Sequence, residues 1–359
     1  MLAVSRSRWA QWAVGVERAA ENRIAAFLRG RPDWHVTVDP YVAHGTAEQC
    51  SVRGRVLVAR REPAERDGPF AALLTAAGRY LSVEVSGMPV TIEVAGRSQQ
   101  VVSGAEGYLD ATVDLPGLAA GWHTVSYRPA GGEVVEGPLL VVDPEARLGI
   151  VSDLDDTVIH TGLTRALVAL RNTLLVADSN RRAVAGGAEL YRGLVAVDGG
   201  RSPVWYVSTG AWNVHRMLVD FLARAGFPPG PVLLTDWGPG QRWLFREDSA
   251  AFKARTILDL FARHRQLSFV LVGDSGQHDA EAYAAVVRAE AGRVRAVYIR
   301  DVPPATPART ARVTGLADEV RALGVPMLLA RDSVAAAEHA HSLGLVDAAT
   351  VEGVRVATE

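Results

Sequence analysis

The sequence predicts an α/β fold, a parallel sheet with helices on both faces, preceded by an antiparallel β-sandwich. Three patterns predict it. Residues 34–142 alternate apolar and polar side chains between closely spaced turn residues, as half-buried strands do. From residue 146 onward, short apolar runs alternate with helical stretches, which is the pattern of a sheet covered on both sides. Between the two lies Asp143-Pro144-Glu145, the expected boundary.

Residues 1–33 read as an amphipathic helix. Trp9, Trp12, Val16, Ala20, Phe27 and Leu28 recur at helical spacing, while Arg6, Arg18, Arg23 and Arg29 fall largely off that stripe. Such a stripe either packs on the protein's own β domain or, with arginines beside tryptophans, rests on a lipid interface. Strands are expected at 35–38, 55–58, 81–85, 90–94, 108–113, 123–127 and 139–142, with 62–79 as a long connection. This β-sandwich domain, 34–145, carries no chemical constellation: its histidines are scattered and its acids stand singly. The third part, 146–359, should hold parallel strands near 148–152, 203–207, 231–235, 268–272, 295–299 and 325–329. Residues 160–190 are expected to form a small cover rather than a large cap.

Composition narrows the class. Hydrophobic content of 48% and charged content of 22% are those of a soluble globular protein. A net charge of −2 gives no reason to expect nucleic acid as a partner. The single cysteine, Cys50, excludes an intrachain disulfide and a cysteine-based zinc cluster, and it suits a reducing cytoplasm. No apolar run is long enough to span a bilayer. The stretch Trp9–Val16 is too short, and too interrupted by Gln11, for a signal peptide.

The chemistry concentrates at the ends of elements. The apolar run Leu148–Val151 leads into Ser152-Asp153-Leu154-Asp155-Asp156-Thr157, so Asp153 and Asp155 fall beyond the end of a buried strand, where such sheets bind ligands. Acids this close repel one another unless a cation shares the site, which points to a hard divalent metal such as Mg²⁺. The plain alternative is an acidic loop capping the next helix. Among 38 basic Lys and Arg residues there is one lysine, Lys253; the rest are arginine. A lysine is a compact point charge, suited to a single phosphate oxygen in a crowded pocket. It precedes a second acidic strand end, Val270-Leu271-Val272-Gly273-Asp274.

Four elements thus lie in order: Asp153-Leu154-Asp155-Asp156-Thr157; Val204-Trp205-Tyr206-Val207-Ser208-Thr209; Lys253 opening a helix; and Gly273-Asp274-Ser275-Gly276-Gln277-His278-Asp279. The set resembles the haloacid dehalogenase (HAD) superfamily of aspartate-nucleophile phosphotransferases, with its HAD-like Rossmannoid sheet. Ser152–Val158 and Gly273–Tyr283 look like the phosphatidate phosphatase branch of the yeast actin-patch-associated type (the DUF2183 group), akin to the lipin catalytic domain. The resemblance covers roughly residues 146–345. It departs at Gly186-Gly187, where the branch pattern would have Pro-Gly before Glu189-Leu190-Tyr191-Arg192.

The resemblance implies roles. Asp153 is the nucleophile, and Asp155 protonates the leaving alkoxide and then activates water. Residues i and i+2 of a strand share a face, which suits a joint task on one phosphate. Thr157, Ser208, Thr209 and Lys253 form the phosphate-binding set, with Thr157 fixing the loop and Ser208 donating to a phosphate oxygen. Mg²⁺ is held by Asp153, the Asp155 carbonyl and Asp274, while Asp279 either orients Lys253 or reaches the metal through water. His160 and His278 have no second ligand at metal spacing; Trp237 and Trp243 either line a lipid-facing rim or pack locally, and the Arg181-Arg182 pair of the cover is expected to be solvated rather than to meet an anionic headgroup. Three functions follow: a Mg²⁺-dependent phosphatidate phosphatase, a phosphatase of a small soluble phosphomonoester, or a non-catalytic phosphatidate-binding module. The first would work in the cytoplasm, with peripheral contact at a membrane face.

Overall fold

The computed structural model describes residues 27–60, 82–154, 157–158, 183–212, 215–235 and 249–359. Most of the expected amphipathic helix, the 62–79 connection, Asp155, Asp156, His160, Arg181, Arg182, Trp237, Trp243 and most of the expected cover lie outside them. The chain divides into two compact units that meet in sequence between Val141 and Val142.

The first unit is built of strands β1 (Trp34–Pro40), β2 (Ala43–Gly45), β3 (Gln49–Arg60), β4 (Ser82–Glu84), β5 (Pro89–Val94), β6 (Arg97–Val102), β7 (Tyr108–Asp114), β8 (Gly121–Pro129) and β9 (Val135–Val141). Every pair is antiparallel except β2 with β9. Alternate residues such as Val52, Val56, Val90, Ile92, Val125 and Leu139 fill its core. Where two separate sheets were expected, the nine strands join into one network through β3. Its 12 residues are long enough to pair with β1, β2, β4 and β7. Two strands carry no sequence signal. β2 is too short, and β6 is exposed along nearly its whole length, so it lacks alternation. The turn before β6 makes it: Ala95 and Gly96 both have positive φ, 49° and 74°, as a tight hairpin demands.

The second unit holds β10 (Leu148–Asp153), β11 (Val204–Ala211), β12 (Val232–Thr235), β13 (Ser268–Asp274), β14 (Val294–Arg300) and β15 (Met327–Ala330). They form one parallel sheet in the order β12-β11-β10-β13-β14-β15. Its helices are α1 (Gly187–Ala196), α2 (His215–Arg224), α3 (Ser249–Arg263), α4 (Asp279–Glu290), α5 (Pro307–Ala322), α6 (Ser333–Ser342) and α7 (Ala348–Val356).

Side chains alternate across each strand. Val151, Trp205, Leu271 and Val297 face Ile257 and Phe261 of α3, Val287 of α4 and Val320 of α5. Ser152 and Tyr206 face the other way and meet Tyr191 of α1, as Tyr298 meets His339 of α6. Both faces are covered, which is why β10 is buried at all of its positions. No helix among the described residues is long and apolar enough to cross a membrane.

Candidate active site

The chain lays strands outward from β10 to β12, then returns to the other side of β10 for β13 and runs outward again. The order therefore reverses between β10 and β13, and such a switch point is where α/β sheets take ligands, beyond the carboxyl ends of their strands. β10 ends on Asp153 and β13 on Asp274, and both side chains are wholly buried.

Lys253 arrives from α3. That helix buries Ala254, Ile257, Leu260 and Phe261, and Lys253 lies buried with them, 1% exposed. A buried ammonium is costly unless its donors are met. Here Nζ donates to Asp153 Oδ1 at 2.6 Å and to Asp279 Oδ1, with Gln277 Oε1 at 3.5 Å. Burial alone would lower its pKa, but the Asp153 and Asp279 carboxylates outweigh burial and hold it well above the usual lysine range. Lys253 is therefore charged.

Asp279 opens α4, yet its carboxylate serves the site. While Oδ1 accepts from Lys253, Oδ2 accepts from the Asp274 N–H at 2.9 Å. The close approach requires Gly273: a Cβ there would stand 2.7 Å from Asp279 Cβ and 2.8 Å from the Tyr283 ring. Asp274 Oδ1 accepts from the N–H groups of Gly276 at 2.5 Å and Gln277 at 2.9 Å. Its Oδ2 is buried with no hydrogen-bond partner among the described residues. Burial, and then the Asp279 charge, push the Asp274 carboxyl up to about 7 against the opposing pull of Lys253 and the two N–H groups.

One carboxylate oxygen from each of Asp153, Asp274 and Asp279 lies within 4.8 Å of the others. Three carboxylates and one ammonium leave an excess of negative charge in a buried space. A hard divalent cation fits that charge, the all-oxygen donor set and the orphaned Asp274 Oδ2.

The other expected residues approach from neighbouring elements. Thr157 Oγ1 donates to Asp153 Oδ2 at 3.4 Å. Val207 of β11 pairs with Asp153, and the register of β11 against β12 breaks between Val207 and Ala211. Ser208, Thr209 and Gly210 occupy this irregularity, a feature common beside active sites. Ser208 is buried and its Oγ accepts from Gly210 N–H at 3.0 Å; Thr209 is half-buried. His278 is exposed just before α4. Gln277 and Gly273 join the site without having been assigned a role from sequence; both stand inside the Gly-Asp-Ser-Gly-Gln-His-Asp string that marked it.

These features define an α/β protein with a carboxylate–ammonium site at the switch point of its sheet. Residues 148–301, which hold every residue of this site, match the family described as "Phosphatidate phosphatase APP1, catalytic domain". The chain is 30% identical over 153 residues to phosphatidate phosphatase APP1 of Saccharomyces cerevisiae, covering 43% of this chain and 26% of that protein. It is 26% identical over 155 residues to an uncharacterised protein of Schizosaccharomyces pombe, covering 43% and 25%. The aligned part thus spans about a quarter of the length of these curated relatives. Among solved structures, a carbohydrate acetylesterase from Xanthomonas citri aligns with 80% of this chain and 75% of its own at 12% identity. Its TM-score of 0.27 is too low to bear on fold or function.

Proposed function

We propose that the second unit is a Mg²⁺-dependent phosphatidate phosphatase of the HAD superfamily, releasing diacylglycerol and phosphate through an aspartyl-phosphate on Asp153. The observation that carries this reading is the buried Lys253–Asp153 contact of 2.6 Å at the end of the central strand, beside the orphaned oxygen of Asp274. A binding module for an anion has no use for a nucleophile-ready carboxylate against its one buried ammonium. The family of residues 148–301, and the activity in the printed name of the yeast relative, support phosphatidate over a soluble phosphomonoester.

In this mechanism an Asp153 carboxylate oxygen forms a bond to phosphorus while the bond from phosphorus to the diacylglycerol oxygen breaks. Asp155 gives its proton to the departing alkoxide. It then takes a proton from the water that attacks the acyl phosphate, which returns Asp153 and releases phosphate. Lys253 offsets charge on both the carboxylate and the phosphoryl oxygens, and Ser208 and Thr209 donate to the latter. Thr157 steadies Asp153, and Asp279 fixes Lys253 and the Asp274 backbone together. Asp153, the Asp155 carbonyl and Asp274 would hold Mg²⁺, with Asp279 reaching it through water; when bound, it supplies positive charge to the phosphate. The enzyme would work in the cytoplasm at the face of a membrane, held peripherally.

Phosphate release from phosphatidate in mixed micelles, compared with a panel of soluble phosphomonoesters with and without Mg²⁺, tests the reading. Metal-dependent release from phosphatidate well above the panel is expected. Preference for a soluble ester would overturn the substrate. Phosphatidate binding without release from any ester would leave a binding module instead.

A further inference from the structure

Ser152 stands one residue before Asp153 and on the opposite face of β10, wholly buried. Its Oγ lies 2.6 Å from the Asp153 carbonyl oxygen and 2.5 Å from the Tyr191 hydroxyl. A carbonyl can only accept, so the single Ser152 hydroxyl proton points to Asp153, and Tyr191 must be the donor to Ser152. The hydrogen bonds therefore run one way: Tyr191 O–H to Ser152, and Ser152 O–H to the Asp153 carbonyl.

The far end of this chain is well anchored. The Tyr191 ring lies parallel to that of Tyr206 at 6.5 Å and meets Phe227 edge-on at 5.2 Å. Burial raises the Tyr191 hydroxyl above its ordinary pKa, and the nearby Asp153 charge adds to that rise. It stays a donor at any working pH. Nothing in the nucleophile's own chemistry calls for a tyrosine on the far side of the strand, yet all three groups are buried and joined by short bonds.

We propose that Tyr191 is a positioning residue for Asp153, acting through Ser152. The hydroxyl chain fixes the peptide plane that leaves Asp153. That plane sets the aim of the Asp153 carboxylate toward Lys253 and the path of the backbone onward to Leu154. α1, which carries no group of the carboxylate–ammonium cluster, thereby governs the geometry of the nucleophile. The inference rests on the reading of Asp153 as nucleophile, but its geometry can be tested without turnover.

Lys253 is the only lysine in the chain, and its ammonium bonds to Asp153 Oδ1. Isotope-labelled lysine incorporated into the full chain therefore gives one side-chain ammonium signal, which reports on that carboxylate. Tyr191→Phe keeps the ring and removes only the donor; Ser152→Ala breaks both links. Each should shift the Lys253 signal and speed its proton exchange, and the double variant should match Ser152→Ala alone. On a soluble aryl phosphate, Tyr191→Phe should lower kcat by ~10-fold and leave KM within about twofold, because misaimed groups cost turnover rather than binding. A folded Tyr191→Phe protein with an unchanged Lys253 signal overturns the proposal, as do additive effects in the double variant. Wild-type protein that releases no phosphate overturns the proposed activity alone, and the lysine signal still decides the positioning.

Discussion

The ammonium of Lys253 lies 2.6 Å from Asp153 Oδ1 although 100 residues separate them in sequence. Their side chains are 1% and 0% exposed. A charge pair so deeply buried contributes little net stability, because desolvation offsets most of the attraction. Removing one partner is another matter, since it strands the other charge. Function, more than stability, accounts for such a pair.

Lys253→Met should therefore destabilise the second unit by about 3–5 kcal/mol, because it leaves Asp153 and Asp279 facing each other without a cation. Lys253→Arg should fold, yet lose at least ~10²-fold in rate. A guanidinium is planar and forked where the site offers a pocket for a point charge. Denaturant unfolding and phosphate release measure the two effects; a wild-type rate for the arginine variant would remove Lys253 from the mechanism.

Asp153→Asn and Asp155→Asn should each reduce phosphate release by ~10³-fold or more. They should differ in what accumulates. Asp155→Asn retains the nucleophile, so a substrate with a good leaving group should leave a phosphoenzyme detectable by intact mass. Turnover by purified Asp153→Asn would refute the covalent mechanism.

Gly273→Ala tests the packing of the turn between Gly273 and Asp279. Its methyl would meet Asp279 Cβ and Oδ2, both at 2.7 Å, so Asp279 must move off Lys253 and the Asp274 N–H. A loss of about 1–3 kcal/mol in stability is expected, as for other overpacked sites, with a larger loss in activity than in folding. A thermal melt and a rate on the same preparation separate the two.

Acid should weaken the second unit through its buried histidines. Burial, with Arg263 and Arg293 adding to it, holds His264 down at about 4, and burial holds His215 at about 3, against 6.5 for each in the unfolded chain. Above pH 6.5 both states are neutral and the full stability is present. As pH falls below 6.5 the unfolded chain takes up protons that the folded one refuses. Each histidine then costs ~1.4 kcal/mol per pH unit until its folded pKa is reached. The Asp274 carboxyl, raised to about 7, titrates in the opposite sense. The difference in unfolding free energy between wild type and His264→Gln, followed from pH 7.5 to pH 4.5, isolates the histidine. It should widen in the mutant's favour as pH falls; a constant difference would mean that folding leaves the His264 pKa unshifted.

Membrane contact has its own test. Anionic lipid attracts each basic residue near its surface by ~1 kcal/mol. Deleting residues 2–28, with Trp9, Trp12 and the arginines beside them, should lower activity on anionic vesicles and spare activity on a soluble aryl phosphate. Equal loss of both, with loss of folding, would make the segment a structural brace.

The strands of the second unit are legible in sequence because burial on both faces leaves near-continuous apolar runs, and the structure places each within a few residues of where those runs stand. β11 runs on to Ala211 because the irregularity at Ser208–Gly210 lengthens it, a feature that no local pattern announces. In the first unit, β6 escapes notice for the converse reason: with neither face covered, its Arg-Ser-Gln-Gln-Val-Val carries no period of two.

By itself the sequence determined the pieces of the site. Asp153, Lys253 and Asp274 are visible because each interrupts a local regularity: an acid ending an apolar run, or a lysine in a chain that otherwise uses arginine. Only the tertiary structure decided how they meet. The order β12-β11-β10-β13-β14-β15 sets β10 against β13 and brings Asp153 and Asp274 together. Strand neighbours are chosen by pairing across the whole chain, which no window of sequence contains. The turn of Asp279 inward to Lys253 and to the Asp274 N–H, and the bond from Tyr191 to Ser152, are decisions of the same kind. Each is made between residues far apart in sequence or across a turn, where packing rather than local propensity fixes the direction of a side chain.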